Sequence, residues 1–271
     1  MEQLKIRKSA LPRLEKGHLW IFSNELYVVP DLPLGETVQV IDEKGRKVGV
    51  GFYNSKSLIA VRLIDYYKSP DVQWFKDKLI DAEQDRKFLF PNSETYRWIF
   101  GESDGLPGLV IDRYSNYIAI QVLSAGIEAN FEILKQALIE NFSWIHGIIL
   151  KNNSRLREKE GLPQFEAVIY GNIPETIKMT ENDVSYELSL LEGQKTGYFL
   201  DQRINRLEIQ KISKGLNVLD CFTNQGGFAL NAAKGMAKKV LGLDISESAI
   251  EKCRTNAKIN GLEQAHFEVY D

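Results

Sequence analysis

The chain has 271 residues, 44% of them hydrophobic and 26% charged, and a net charge of −3. That balance describes a folded, water-facing protein and argues against disorder, and the length suits two or three domains. The charge is uneven: residues 1–70 carry 11 Lys/Arg against 8 Asp/Glu, and the remainder carries 23 against 29. A polyanion would therefore be met at the amino-terminal end, although a solvated surface explains the small excess equally well.

Residues 1–70 read as short strands with turns. Thr37-Val-Gln-Val-Ile41 alternates polar and apolar, Glu43-Lys-Gly45 turns, and Val48–Phe52 and Leu58–Ile64 follow as strands. Their close spacing predicts a small barrel. Gly17-His-Leu-Trp-Ile-Phe22, just after Lys16, suits either of two roles. Its aromatics could stack on a base or ribose, or Trp20 and Phe22 could fill the barrel core.

Tyr66–Pro70 reads as a linker. Residues 71–185 then predict an α+β module. The spacing of Val72, Phe75, Leu79 and Ala82 gives a helix over 71–90. Strands are expected at Tyr96–Phe100, Leu109–Arg113, Tyr117–Leu123 and Ile145–Leu150, with a helix at Glu128–Phe142. The turn-rich Gly101–Gly108 joins the first two strands, and Arg155-Leu-Arg-Glu-Lys-Glu160 reads as a solvated charge run.

From residue 186 the pattern becomes strand–helix–strand. Asn217–Cys221 is an apolar strand of the kind found in a parallel sheet covered on both faces. A helix over 228–234, a strand at Lys239–Leu243, a helix over 246–260 and a strand at His266–Val269 follow. Ser248 and Glu251 have capping-box spacing, with Ser246 as a competing N-cap. Right-handed crossovers put the three strands in the spatial order three, two, one.

The chemistry sits at the loop Asp220-Cys-Phe-Thr-Asn-Gln-Gly-Gly-Phe228. Gly226 and Gly227 let a ligand approach the backbone closely. Asp244 ends the second strand, where a carboxylate accepts hydrogen bonds from ribose hydroxyls. The loop is not the Gly-x-Gly-x-x-Gly of a dinucleotide site, and Asp220 would repel a pyrophosphate. A cationic nucleoside with a free ribose fits better, and S-adenosyl-L-methionine is one. Elsewhere chemistry is sparse. Cys221 and Cys253 form no disulfide framework, which agrees with a reducing cytoplasm, and His18, His146 and His266 lack ligand spacing, so no metal is expected. No apolar run approaches the roughly twenty residues that span a bilayer, and Met1–Lys8 lacks the apolar core of a secretion signal.

Leu191-Glu-Gly-Gln-Lys-Thr-Gly-Tyr-Phe-Leu-Asp-Gln-Arg203 together with Cys221–Phe228 resembles the RlmI-type family of class I methyltransferases. These modify cytosine C5 in 23S, the large-subunit ribosomal RNA, and carry an amino-terminal PUA domain. Gly17–Glu25, Gly51–Arg62 and Gly101–Arg113 match that family as well. The resemblance implies a PUA-like RNA-binding barrel (1–70), a central α+β domain (71–185) and the amino-terminal part of a Rossmann-like methyltransferase domain (186–271). It implies S-adenosyl-L-methionine as cofactor and RNA as partner; a homodimer is compatible with it. By the same resemblance Asp220, Gly226 and Gly227 border the methionine part, Asp244 holds the ribose, Asp271 lies near the adenine amine, and Phe222 is a further cofactor-binding residue. Phe199, Asp201, Gln202 and Arg203 line the cleft. The family's Asp-Pro-Pro motif and nucleophilic cysteine do not occur in these residues, so no catalytic residue is assigned and the chain alone is expected to be inactive. Cys253 is expected in the core, and Cys221 as part of the cofactor motif. Without a fourth strand beside Asn217–Cys221 that edge is expected to be open and residues 186–271 poorly stable. The rival reading is a non-catalytic RNA-binding protein with a vestigial cofactor fold; a third is a methyltransferase of a free metabolite.

Overall fold

A computed structural model describes residues 1–193 and 195–270, which cluster into two compact units. The first is formed by residues 1–91, 97–112 and 116–172, the second by 92–96, 113–115, 173–193 and 195–270.

The first unit begins with β1 (Gln3–Lys5), a short helix α1 (Leu11–Leu14), β2 (Trp20–Phe22), β3 (Thr37–Ile41), β4 (Lys47–Tyr53) and β5 (Ile59–Asp65). They form one sheet in the order β1-β3-β4-β5-β2. Backbone bonds from Arg7 N to Glu25 O (2.8 Å) and from Tyr27 N to Lys5 O (3.0 Å) join the chain beyond β1 to the chain beyond β2, so the sheet closes. Closure removes the free edges that an open sheet would expose. Leu4, Ile6, Ile21, Val38, Val40, Val61 and Leu63 fill the interior. Trp20 and Phe22 are only half-buried and so are not core residues. The Trp20 indole donates to Glu102 Oε1 (2.7 Å). Phe22 carries the Arg13 guanidinium 4.9 Å above its ring.

The chain continues through α2 (Val72–Leu89), β6 (Thr95–Phe100), β7 (Leu109–Tyr114), β8 (Tyr117–Val122), α3 (Ala125–Ala129), α4 (Phe131–Asn141), β9 (Gly147–Asn152), α5 (Arg155–Lys159) and β10 (Phe165–Gly171). The sheet order is β10-β9-β8-β7-β6, with β8 and β9 parallel and β10 antiparallel to β9. The helix expected over 128–142 is two helices broken at Asn130, whose side chain donates to Gly126 O (2.8 Å). The charge run 155–160 is not simply solvated. Arg157 is fully buried in α5, with Nε on Pro163 O (2.7 Å) and Nη1 on Glu128 Oε2 (2.9 Å). At the end of that helix Glu160 is buried and accepts from Asn54 (2.9 Å), Ser57 (2.8 Å) and Arg62 (2.9 Å), tying α5 to the barrel strands.

The second unit contains β11 (Ile177–Glu181), β12 (Val184–Leu188), α6 (Arg203–Ile212), β13 (Asn217–Cys221), α7 (Gly227–Lys234), β14 (Lys239–Asp244), α8 (Glu247–Ile259) and β15 (Ala265–Val269). The hairpin β11–β12, which straddles the 185/186 boundary expected from sequence, lies in this unit. Strands β13, β14 and β15 are parallel and adjacent in that order. The α8 N-cap is Ser246, which accepts from Ala249 N (3.3 Å), and not Ser248. The sheet is covered on one face only among the described residues. Val240, Gly242, Ala265 and Phe267 are buried on that face, whereas Leu219 is 59% exposed on the other and Cys221 is also exposed there. The two-sided burial expected for β13 is therefore corrected: α7 and α8 pack on the same side, as two right-handed crossovers in one direction require.

Two outcomes follow. Burial opposes the Glu160 charge, but Arg62 and the bonds from Asn54 and Ser57 outweigh it and hold the carboxyl below its usual range. A depressed carboxylate contributes stability above its unfolded pKa and loses it as pH falls through the folded one. Glu160→Gln should thus destabilise the first unit at neutral pH, by about 1–3 kcal/mol, and the gap to wild type should close in acid denaturation curves. In hydrogen exchange, β14 amides, flanked on both sides, should exchange more slowly than Val218–Phe222 of the edge strand; equal protection would contradict the topology.

Candidate cofactor site

The loop after β13 has an unusual backbone. Phe222 (φ 61°) and Asn224 (φ 51°) are left-handed non-glycine residues, and Gly226 (φ 80°) is left-handed as the N-cap of α7. Such conformations persist only where surrounding bonds over-determine them. Asp220 Oδ2 accepts from Thr223 Oγ1 (2.6 Å) and Ala229 N (3.0 Å), bracketing the turn. Thr223 N reaches Leu243 O (2.8 Å) on β14. Asp244 Oδ2 accepts from Asn224 N (2.9 Å) and Oδ1 from Ser246 N (3.0 Å). Each carboxylate is thus oriented by the protein before any ligand arrives and keeps spare acceptor capacity.

A side chain at the tandem glycines would not fit. A Cβ on Gly226 would stand 3.1 Å from Leu230 Cδ1 and 3.3 Å from Cys253 Sγ. One on Gly227 would stand 2.8 Å from Tyr198 Oη and 3.1 Å from Arg206 Cδ. The second contact shows that the segment 197–206 lies directly against the first turn of α7. Gln225 Nε2 adds a bond to Gly197 O (3.3 Å).

Asp220, Phe222, Gly226, Gly227 and Asp244 therefore cluster at the carboxyl ends of β13 and β14, the candidate crevice. Phe222 presents its ring to solvent at 87% exposure. The other sequence candidates are spread along the adjoining segment. Lys195 Nζ lies 4.3 Å above the Phe199 ring. Asp201 is exposed, 3.8 Å from Lys195 Nζ, and Gln202 accepts from Asn205 Nδ2 (2.9 Å). Arg203 turns to the backbone of 93–95, donating to Ser93 Oγ (2.9 Å) and Thr95 O (2.7 Å). Asp271, like Gln194 of the 191–203 motif, lies outside the described residues.

Burial, with the Asp244 charge nearby, raises the Asp220 carboxyl above its usual range against the opposing bonds from Thr223 and Ala229. Burial, then Asp220 and Asp244, push the Cys253 thiol up to about 12. Its Sγ donates to Asn224 O (3.1 Å), so Cys253 is a structural thiol beneath the loop. Cys221 is a free thiol on the exposed face of β13. Among the described residues no group of three or more His, Cys, Asp or Glu could hold a metal ion. No described helix is long and apolar enough to cross a membrane.

Sequence reasoning missed the support beneath the crevice. Arg206 and Glu181, both buried, form a two-pronged ion pair (2.6 and 2.9 Å), and Arg206 Nη2 also donates to Phe199 O (2.9 Å). Asn231 Nδ2 donates to Tyr186 Oη (2.9 Å) and Gly227 O (2.8 Å). The hairpin was legible: Val184-Ser-Tyr-Glu-Leu188 alternates strictly and Ile177-Lys-Met-Thr180 alternates up to Glu181, on either side of Asn182-Asp183.

A crevice outside the carboxyl ends of parallel strands, with an acid on the first and an acid ending the second, defines a Rossmann-like nucleoside-binding domain. Comparison with known proteins narrows this. Residues 4–66 match the PUA-like domain family and residues 155–269 the S-adenosylmethionine-dependent methyltransferase family. A Streptococcus mutans protein assigned as a SAM-dependent methyltransferase superposes with a TM-score of 0.84 at 23% identity, over 100% of this chain and 71% of that one, a likeness of fold. The ribosomal RNA large subunit methyltransferase I of Vibrio cholerae is 36% identical over 92% of this chain and 64% of its own. That of Erwinia tasmaniensis is 34% identical over 98% of this chain and 69% of its own. The chain belongs to the ribosomal RNA large subunit methyltransferase I family, and spans about two thirds of the length of these relatives.

The geometry predicts unequal costs at the tandem glycines. Gly227→Ala should lower stability by about 1–3 kcal/mol through overpacking against Tyr198 and Arg206. Gly226→Ala should add the strain of a left-handed alanine, about 1–2 kcal/mol. Thermal unfolding of both variants checks this; a neutral Gly227→Ala would contradict the packing.

Proposed function

We propose that this chain is the donor-binding part of an S-adenosyl-L-methionine-dependent methyltransferase acting in the cytoplasm on 23S ribosomal RNA, at cytosine C5. The observation that carries the reading is the pair of carboxylates, Asp220 and Asp244, each oriented by bonds from the glycine-containing loop 221–229 or its neighbours. Two fixed negative charges disfavour a pyrophosphate and favour a cationic amino-acid nucleoside. When bound, S-adenosyl-L-methionine supplies an electrophilic methyl group on its sulfonium.

The residues divide the work of binding. Asp220 offers its charge to the methionine part, and the backbone of Gly226 and Gly227 borders it. Asp244 accepts from the ribose hydroxyls, its direction already set by Asn224 N and Ser246 N. The exposed Phe222 ring offers an apolar face, and Phe199, Asp201, Gln202 and Arg203 complete the cleft. RNA docks through the barrel, where Tyr27 is flanked by Arg7 at 5.0 Å and Lys5 at 5.8 Å, an arrangement that suits a stacked base beside phosphates. Methylation at C5 requires a thiolate that adds to C6 and makes the base enamine-like. The buried Cys253 cannot supply it, and none of residues 1–271 is assigned that role.

Calorimetry with S-adenosyl-L-methionine tests the reading directly. The full chain should bind, and a folded protein that releases no heat and shows no thermal shift would end it. Protonated Asp220 cannot attract a cation, so donor affinity should fall as pH drops through its raised pKa, beginning at a higher pH than an ordinary aspartate would give. Asp220→Asn should flatten that profile. Asp244→Ala should weaken binding by about tenfold or more. Affinity for a large-subunit ribosomal RNA fragment should decline steeply with salt; a salt-independent interaction would argue against docking through the basic barrel.

A further inference from the structure

The buried Glu181–Arg206 pair lies beneath the crevice without facing it. Arg206 is 2% exposed and Glu181 fully covered. The guanidinium fork meets both carboxylate oxygens, and Nη2 is shared with Phe199 O at 2.9 Å. The same guanidinium lies 4.5 Å over the Tyr198 ring. Arg206 Cδ and Tyr198 Oη are the atoms nearest to where a Gly227 side chain would start. At the hairpin tip, Asn182 Nδ2 donates to Arg203 O (3.0 Å), so consecutive residues of one turn grip α6 at two points.

A buried ion pair is a poor way to gain stability, because desolvating both charges cancels most of their attraction. Apolar side chains of equal volume would hold α6 to the hairpin as well. They could not fix the direction of the Phe199 carbonyl or hold one face of Tyr198 against the start of α7. Resting on the cofactor reading above, we propose that Glu181 and Arg206 are positioning residues of the methyl-donor site: they fix the segment 198–203 against the glycine turn before the donor enters. Neither touches the donor. They act through Phe199, Tyr198 and Gly227.

The test separates position from stability. In the full chain the double variant Glu181→Leu with Arg206→Met removes both charges and keeps the volume. Titration with S-adenosylhomocysteine should show affinity weakened by about tenfold or more, while the unfolding midpoint stays within about 5 °C of wild type. A lowered midpoint with unchanged affinity means a structural role only and overturns the proposal. Arg206→Lys provides a second measurement if the double variant does not fold. An ammonium keeps the charge opposite Glu181 but cannot serve both the carboxylate fork and the Phe199 carbonyl. Its affinity should fall by about fivefold or more, and wild-type affinity there overturns the proposal. Failure of the wild-type chain to bind would sink the cofactor reading itself, whereas wild-type binding with unaffected variants sinks only the positioning role.

Discussion

The second unit is organised around a polar constraint. Strand β12 lies at the free side of a two-stranded hairpin, so its outward amides have no strand partners among the described residues. Helix α8 supplies them through side chains. Asn256 Oδ1 accepts from Glu187 N (2.8 Å), and Asn260 accepts from Ser185 N (2.8 Å) while donating to Ser185 O (2.7 Å). Buried backbone groups must be paired, and two asparagines one turn apart do for this edge what a third strand would do. The hairpin is thereby locked to α8 on one side and, through Glu181 and Asn182, to α6 and α7 on the other. Every helix bordering the glycine turn is referred to the same two strands.

This explains what could be read in the sequence and what could not. The alternation β13-α7-β14-α8-β15 is local: each element shows its own period, and Asp220, the glycines and Asp244 stand at boundaries that the periods define. The resemblance over 191–203 and 221–228 added a chemistry to that frame. Helix α6 was invisible for the opposite reason. Its apolar residues Ile204 and Ile212 are 53% and 64% exposed, and its most buried side chain is Arg206. A reading that looks for an apolar stripe assigns such a helix the wrong face or none. Arg157 repeats the lesson in the first unit, since a run of alternating charge hides one arginine that packs completely. The partners of both arginines, Glu181 and Glu128, lie 25 and 29 residues away. No local pattern announces that separation.

The two faces of the parallel sheet show how a correct topology can carry a wrong burial. The sheet order was legible because crossover handedness is nearly invariant. Apolar Leu219 suggested cover on both sides, yet both crossover helices return on the side of Val240 and Phe267. Topology fixed the order of the strands, and the direction of the crossovers fixed which face they protect.

The same geometry decides between the two thiols. Cytosine chemistry needs a thiolate that can reach the base, which demands both access and a low pKa. Cys253 has neither, being buried with its proton on Asn224 O and two carboxylates nearby that oppose ionisation. Its place under Asn224 instead steadies a left-handed residue, whose amide in turn orients Asp244. A buried sulfur thus helps hold the Asp244 carboxylate in its direction. Asp220 and Asp244, the acids assigned to a cationic donor in the proposal above, are the same charges that oppose ionisation of this neighbouring thiol.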